Sequence, residues 1–471
     1  MSPLWSAQEA AAATGGQAIG DWQAGGVSID SRTVGSLDLF VALVGPKFDG
    51  HRFVADALKK DAAAAVVSER PAMLDDDAPL LIVADTQRAL EDLGRAARAR
   101  SEARVIAVTG SVGKTGTKEA LLRALDAQGR AFASAGSLNN QWGVPLSLSR
   151  LPRDADYGVF ELGMNHPGEI DVLTRMVRPH VAIITTIEPA HLGFFASVEA
   201  IADAKAEIFA GLEPHGAAVL NRDNAYFDHL AKAAAARGVK HIVGFGTHDK
   251  ADVRLIDYTL SATGSKVEAS VMGRTIHYSI ALPGRHWVMN SLAVIAAVDA
   301  AGGDAGAAAA SLENLPQLAG RGARHRIIIG GGTAELIDES YNASPASMRA
   351  AFAVLAGINP GPNGKRIAVL GEMLELGDES ARLHAELAQP LIAADVAQVF
   401  TLGDAMRALD DALPPQRRGG HAASITELTE MLRRNLQPGD VVTAKGSHGS
   451  RIYELVAQLI APKAADAAVK A

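Results

Sequence analysis

Between Arg104 and Leu122 the chain commits to one local geometry. The apolar run Val105-Ile106-Ala107-Val108 passes directly into Thr109-Gly110-Ser111-Val112-Gly113-Lys114-Thr115, and Lys118-Glu119-Ala120-Leu121-Leu122 follows with helical character. A short apolar run, two closely spaced glycines and a helix make a strand–loop–helix unit. Gly110 and Gly113 let the backbone curl so that its N–H groups, that of Ser111 among them, face a phosphate. The helix N-terminus adds partial positive charge. Lys114 is placed to neutralise the β and γ phosphates, and Thr115 to offer a hydroxyl to Mg²⁺. The glycine spacing is shorter than the full Gly-x-x-x-x-Gly-Lys-[Ser/Thr] pattern, so a plain turn competes with the phosphate loop. The strand before and the helix after favour the loop.

Strand-length apolar runs keep alternating with helical stretches on both sides of this unit. Gly158–Leu162, Val181–Ile187, Ala217–Leu220 and His241–Phe245 read as strands. So do Arg326–Ile329, Glu335–Ile337, Arg366–Leu370, Gln398–Thr401 and Val441–Thr443. Such alternation predicts an α/β class with mostly parallel sheets. The length of 471 residues exceeds what one core serves. Composition shifts near Ser101 and Leu318 divide it into residues 1–101, 102–317 and 318–471. The expected architecture is three domains, the central one of phosphate-loop type and the last Rossmann-like. The stretch from Ala461 to Ala471 reads as a frayed tail.

The net charge of −8 argues against nucleic acid or anionic lipid as the main partner. The absence of cysteine excludes disulfides, thiolate metal sites and a cysteine nucleophile, and fits a reducing compartment. Met1 to Gly20 lacks a basic start and an apolar core, so no secretory signal is expected. Leu292–Ala300, the most apolar segment, is too short to span a bilayer. A cytoplasmic monomer without membrane insertion is the expectation.

Several short motifs recur in a fixed order. After Gly110–Thr115 come Asn139-Asn140-Gln141-Trp142-Gly143-Val144-Pro145, Glu161-Leu162-Gly163-Met164-Asn165, Ala190-His191-Leu192, Ala204-Lys205-Ala206-Glu207-Ile208-Phe209, Gly284-Arg285-His286 with Asn290, and Gly320-Arg321. In this order they resemble the Mur ligase family along nearly the whole chain. Ser28–Arg32, Phe40–Leu43 with Phe48–His51, Asp338–Pro345 and Gly371–Gly377 resemble the branch that adds D-alanyl-D-alanine. The Asp-Asn-Pro-Arg motif of the diamino-acid-adding branch is missing. Trp287, Thr186 and Gly116 depart from the family pattern.

The resemblance implies an ATP- and Mg²⁺-dependent ligase. It would join D-alanyl-D-alanine to UDP-N-acetylmuramoyl-tripeptide through an acyl phosphate, during peptidoglycan synthesis. The alternatives are another amide-forming ligase of this type (diamino-acid-adding or folylpolyglutamate synthase-like) and a phosphate-loop NTPase switch. Phosphorylating a carboxylate makes it electrophilic and provides a leaving group. Two anions must meet first, so cations are needed.

Glu161 ends an apolar run, where ligand sites of open α/β sheets lie, and is a candidate Mg²⁺ ligand. His191 follows the next strand in the same way; a structural histidine in a turn beside Pro189 competes with the implied metal or phosphate role. Arg321 is the implied phosphate clamp, or else a linker arginine. Asn290 and Asp338 match the family's adenine and ribose contacts; otherwise Asn290 caps a helix Ser291–Ala300. Ser31, Arg32 and His51 are the implied contacts of the UDP end, and Asn342 and Lys445 of the acyl or peptide portion.

Lys205 stands out on the helical wheel before any family is invoked. Ile201, Lys205, Ile208, Phe209 and Leu212 share one stripe, while Asp203 and Glu207 point away. A buried lysine favours its neutral amine, which reacts with CO₂ to give a carbamate with oxygen ligands. The family resemblance implies this modification at Lys205. The competing expectation is a stem packed on the stripe with its amine reaching water.

Overall fold

The computed structural model describes residues 3–190 and 192–461. His191, and the tail beyond Ala461, lie outside the described residues. The chain divides into two compact units. One comprises Met1–Thr185, Ala202–Arg254 and Leu292–Ser311; the other Thr186–Ile201, Leu255–Ser291 and Leu312–Ala471. Among the described residues no helix is long and apolar enough to cross a membrane.

The first unit opens with a small sheet in the order Gln17–Ile19, Leu80–Ile82, Ala64–Val67, Asp38–Val41, Gly26–Ser28. Its pairs are parallel except at the Gln17–Ile19 edge. The helix Thr86–Arg100 starts where Asp85 Oδ1 accepts from Arg88 N at 2.9 Å, an N-cap. Leu90, Leu93 and Ala97 on its inner face join Trp5, Leu39, Val41 and Leu81 in one core. That core also takes Leu146 from the helix Gly143–Ser149. The two helices pack closely: a Cβ at Gly94 would stand 3.1 Å from the Pro145 carbonyl.

The central sheet of this unit runs Ala131–Ala133, Tyr157–Glu161, Arg104–Thr109, Val181–Ile184, Ala217–Asn221, His241–Gly246, with Val253 and Arg254 pairing next. Every one of these pairs is parallel. The strand Arg104–Thr109 is buried from Val105 to Thr109, which explains its unbroken apolar run. The chain leaves this strand toward one edge and returns to continue toward the other. The carboxyl ends of its neighbours therefore flank a topological switch point, with Val108 opposite Glu161 and Thr109 opposite Ile184.

The second unit holds a sheet in the order Ala323–Ile329, Gly332–Glu339, Val441–Lys445, Arg366–Gly371, Gln398–Leu402, Arg418–Ala422. Along Arg366–Gly371 the side chains alternate between two cores. Ala368 and Leu370 meet Met348, Phe352 and Leu355, whereas Ile367 and Val369 meet Leu428, Leu432 and Leu455. Helices therefore cover both faces, as in a Rossmann-like domain.

The expected strands are all present, with adjusted ends. Val181–Ile187 stops at Ile184, and the last strand runs on to Lys445. Two corrections apply. The expected βα set of the last third begins instead with an antiparallel hairpin, because Gly330 and Gly331 at φ +42° and +87° turn the chain at once. Sequence reading also overlooked the hairpin Ser265–Val271 with Arg274–Ile280. Its strands alternate apolar Val267, Ala269, Val271 and Ile276, Tyr278, Ile280 with polar residues, a clear period-two signal.

Candidate active site

Gly110 has φ +144°, and a Cβ there would lie 2.0 Å from Thr185 Oγ1. Only glycine permits this turn. The Thr185 hydroxyl in turn donates to Val112 O at 2.6 Å and fixes the loop from below. Gly113, at φ +91°, is the N-cap of the helix Lys114–Asp126. Lys114 is the first residue of that helix, and its Nζ folds back to donate to Gly110 O at 2.7 Å. Loop glycines, lysine and helix N-terminus therefore converge as the motif predicted.

Thr115 and Glu161 meet beside this loop. Thr115 Oγ1 donates to Glu161 Oε2 at 2.7 Å, and Asn139 Nδ2 donates to Glu161 Oε1 at 2.8 Å. Glu161 is 1% exposed, so its carboxylate is held by one hydroxyl and one amide in a dry setting. These oxygens are hard donors of the type Mg²⁺ takes, and Mg²⁺ keeps several waters rather than a full protein cage. Among the described residues there is no group of three or more His, Cys, Asp or Glu arranged for a metal.

Lys205 is 2% exposed within the helix Val198–Ala206, and Ile201, Ile208 and Phe209 are buried with it. Among the described residues its ammonium has no hydrogen-bond or ion-pair partner. Burial, and then the positive charge of Lys114, push its pKa well below the usual lysine value. Four residues of the expected stripe, Ile201, Lys205, Ile208 and Phe209, are buried, but Leu212 is half-exposed and the α-helix gives way to a 3-10 turn over Glu207–Gly211, so one regular helical wheel does not carry the whole stripe. Asp203 is exposed. Glu207, also expected to point away, instead accepts from Gly168 N at 2.6 Å and Asp171 N at 3.1 Å, capping the helix Glu169–Val177. His191 lies outside the described residues.

Sequence reasoning missed Lys118. It is fully buried one helical turn beyond Lys114, and its Nζ donates to Gly136 O at 2.8 Å and to Ser134 O. It also pairs with Glu119 at 2.7 Å. The signal was available: a lysine four residues after the loop lysine shares its helix face. Asn139 stood within a quoted motif without a role, and its contact with Glu161 supplies one.

In the amino-terminal sheet, Arg32 is exposed and forks onto Asp30, Nε to Oδ1 at 2.9 Å and Nη2 to Oδ2 at 2.7 Å. This hydrogen bonding holds the Asp30 carboxyl at about 2. The Ser31 carbonyl accepts from Lys60 Nζ at 2.7 Å. His51 is engaged at both ring nitrogens: Nδ1 lies 2.7 Å from Asp49 Oδ1, and Nε2 accepts from Ser68 N at 2.9 Å. That pattern selects the tautomer protonated at Nδ1.

In the second unit, Asp338 is 7% exposed and Oδ2 accepts from Gly320 N at 2.9 Å. Oδ1 accepts from Ser340 N at 3.0 Å and from the Ser340 hydroxyl. Its carboxylate thus anchors the Gly320 turn. Arg321 stacks over the Tyr341 ring at 4.1 Å. Lys445, 3% exposed at its strand end, donates to Asn342 O at 2.9 Å and reaches Glu339 Oε2 at 3.4 Å. Burial lowers its pKa and Glu339 opposes the shift. Asn342 itself is exposed. Asn290 does not cap a helix: the helix runs Arg285–Ala300 and Asn290 lies inside it, because Gly284 at φ +110° starts the turn earlier.

Comparison with known proteins gives three family matches along the chain. The Mur ligase family catalytic domain matches residues 23–120, the Mur ligase middle domain 108–298, and the Mur ligase glutamate ligase domain 323–448. A UDP-N-acetylmuramoyl-tripeptide–D-alanyl-D-alanine ligase from Rickettsia prowazekii is 33% identical over 96% of this chain and 99% of its own. The crystal structure of MurF from Acinetobacter baumannii has a TM-score of 0.82 at 31% identity, covering 97% of this chain and 98% of that one. MurF from Thermotoga maritima, in complex with ADP, has a TM-score of 0.75 at 26% identity, covering 92% and 96%.

Proposed function

The chain belongs to the Mur ligase family, and on that premise we propose that it joins D-alanyl-D-alanine to UDP-N-acetylmuramoyl-tripeptide at the expense of ATP. The similarity along 96% of the chain to a ligase of that name carries this reading. The phosphate loop with Lys114, Thr115 and Glu161 at one strand edge supports it. The reaction class is amide formation with release of ADP and phosphate, in the cytoplasm, by a monomer. Residues 1–101 hold the UDP end, 102–317 the nucleotide, and 318–471 complete the ligase.

The terminal carboxylate of the tripeptide attacks the γ-phosphorus of ATP, the bond to the β-phosphate oxygen breaks, and an acyl phosphate forms. The dipeptide amine then attacks the acyl carbon, loses a proton, and phosphate departs with its electron pair. The backbone N–H groups from Gly110 to Gly113, including that of Ser111, cradle the phosphates. Lys114 offsets charge on the transferring group. Thr115, Glu161, a carbamylated Lys205 and His191 are assigned as the Mg²⁺ ligands. Bound there, Mg²⁺ supplies charge neutralisation for the two anions that must meet. Neutral Lys205 adds its nitrogen to CO₂ and releases a proton, which leaves the anionic carbamate. The burial of Lys205, without a hydrogen-bond or ion-pair partner among the described residues, supports that assignment.

Arg321 is assigned to phosphate, Asn290 to adenine and Asp338 to ribose. Asn342 and Lys445 take the acyl or peptide portion. Ser31, Arg32 and His51 take the UDP end. The test is ADP release with each component omitted in turn. Turnover requires both the UDP-tripeptide and the dipeptide. Fast ATP hydrolysis without either would favour a nucleotide switch instead.

A further inference from the structure

The guanidinium of Arg321 rests on a ring that is itself held from more than one direction. Arg321 Cζ stands 4.1 Å from the Tyr341 ring centroid. Tyr341 N donates to Gly320 O at 3.1 Å, one residue before Arg321. Gly320 has φ +69°, and a Cβ there would come 2.9 Å from the Tyr341 Cβ, so this close approach requires glycine. The Tyr341 ring has a further neighbour in His448, with centroids 6.0 Å apart and planes at 42°. His448 in turn stacks on Tyr453 at 4.9 Å and 14°. Tyr341 is thus fixed by its backbone to the Gly320 turn and by its ring to an aromatic pair from another segment.

The turn that carries Arg321 is fixed as well. Arg321 N donates to Leu318 O at 3.0 Å, Gly322 N to Asp338 O at 2.8 Å, and Gly320 N to Asp338 Oδ2 at 2.9 Å. The backbone on both sides of Arg321 is therefore set, and its long side chain is the part left to order. An arginine side chain is rich in rotamers, and ordering it only when a ligand arrives costs affinity. A ring face attracts the cation through its quadrupole. Unlike an ion pair, this contact restricts the guanidinium and leaves its charge in place for an anion.

We infer that Tyr341 is the positioning residue for Arg321, its ring presetting the guanidinium that meets a nucleotide phosphate. The inference rests on the assignment of Arg321 to phosphate made above. Tyr341 acts through Arg321 alone in this role, and the ring is what matters, so its hydroxyl is dispensable.

The experiment is a double-mutant cycle in the full-length protein with Tyr341→Leu, Arg321→Ala and the pair. Tyr341→Phe serves as the conservative variant. Two quantities are read: kcat/KM for ATP in the complete reaction, and the dissociation constant of a non-hydrolysable ATP analogue by calorimetry, which needs no turnover. Tyr341→Leu should weaken both about fivefold, the size of one lost ring–cation contact. Tyr341→Phe should stay within about twofold of wild type. In the Arg321→Ala background, adding Tyr341→Leu should change neither quantity by more than about twofold. Melting temperatures check folding, and Tyr341→Val takes the place of a Tyr341→Leu protein that does not fold, under the same criteria. A fivefold loss from Tyr341→Leu that persists in the Arg321→Ala background would overturn the positioning role, because the ring would then act independently of Arg321. So would an unimpaired Tyr341→Leu beside an impaired Arg321→Ala, and in both cases the phosphate assignment of Arg321 would stand. An unimpaired Arg321→Ala would remove that assignment and the positioning role with it.

Discussion

Lys118 Nζ donates to the carbonyl of Gly136 at 2.8 Å, from a side chain with no exposed surface. A second bond goes to Ser134 O. Together they tie the phosphate-loop helix to the segment that leads to Asn139 and its bond with Glu161. Replacing Lys118 by methionine roughly keeps the volume and removes the ammonium that makes both bonds, which leaves the buried Ser134 carbonyl without this donor. Lys118→Met should lose roughly 2 kcal/mol of stability. A lower melting temperature, together with a raised KM for ATP, is the expected result. An unchanged melting temperature would show that the loop does not depend on this pin.

Lys114→Ala should abolish turnover in a folded protein. Lys114 is half-buried at the start of its helix and its Nζ donates to Gly110 O at 2.7 Å. In the proposed mechanism the lost charge would act on the transferring phosphoryl group, where one preorganised contact is worth about a hundredfold or more. Circular dichroism controls for folding. Near-normal ADP release would remove the phosphate-loop assignment.

Lys205→Ala should cause severe activity loss, with partial rescue by a small added carboxylate. A second readout is independent of turnover: wild type equilibrated with ¹³C-labelled bicarbonate and Mg²⁺ should show a carbamate carbonyl resonance that Lys205→Ala lacks. An unmodified Lys205 in a metal-loaded, substrate-bound crystal grown with bicarbonate, with a near-normal Lys205→Ala enzyme, would refute the carbamate.

Arg32→Ala should raise the KM for the UDP-tripeptide far more than that for ATP. The Arg32 fork is exposed and is oriented by Asp30, which leaves it suited to an anionic ligand such as a pyrophosphate. Stability should hardly change, because exposed ion pairs contribute little. A selective rise in the KM for ATP would show that the amino-terminal sheet had been misassigned.

His384 makes part of the stability pH-dependent. It is fully buried: Nε2 accepts from Met373 N at 2.9 Å and Nδ1 donates to Ser380 O at 2.7 Å. Burial lowers its pKa below the ordinary 6.5, against the Ser380 bond and the Glu372 charge. The unfolded chain therefore takes up a proton below about pH 6.5 that the native state refuses, and stability falls as pH drops through that range. His384→Gln should be less stable at pH 8 but show a shallower loss between pH 7 and 5 in urea titrations. His180 and His286 shift in the same direction, so the slope shrinks without vanishing. An unchanged slope would exclude His384 as a contributor.

Local patterns in the chain determined a good deal. The apolar run before Gly110, the glycine pair and the helix after Lys114 define the phosphate loop, because each step is written in adjacent residues. The burial of Ile201 and Lys205 four residues apart follows from helical spacing, and the parallel strands from short apolar runs between helices. Pairing across distance was decided by tertiary structure. That Asn139 and Thr115 both hold Glu161, and that Lys118 anchors Gly136, depends on strands ordered out of sequence around Arg104–Thr109. Asp338 shows the same limit: a motif marked the residue, but its two oxygens are committed to the Gly320 turn and to Ser340 by the fold. Periodicity reports which face of an element is buried. It carries no information on which other element meets that face, and hydrogen bonds between distant segments are set only there.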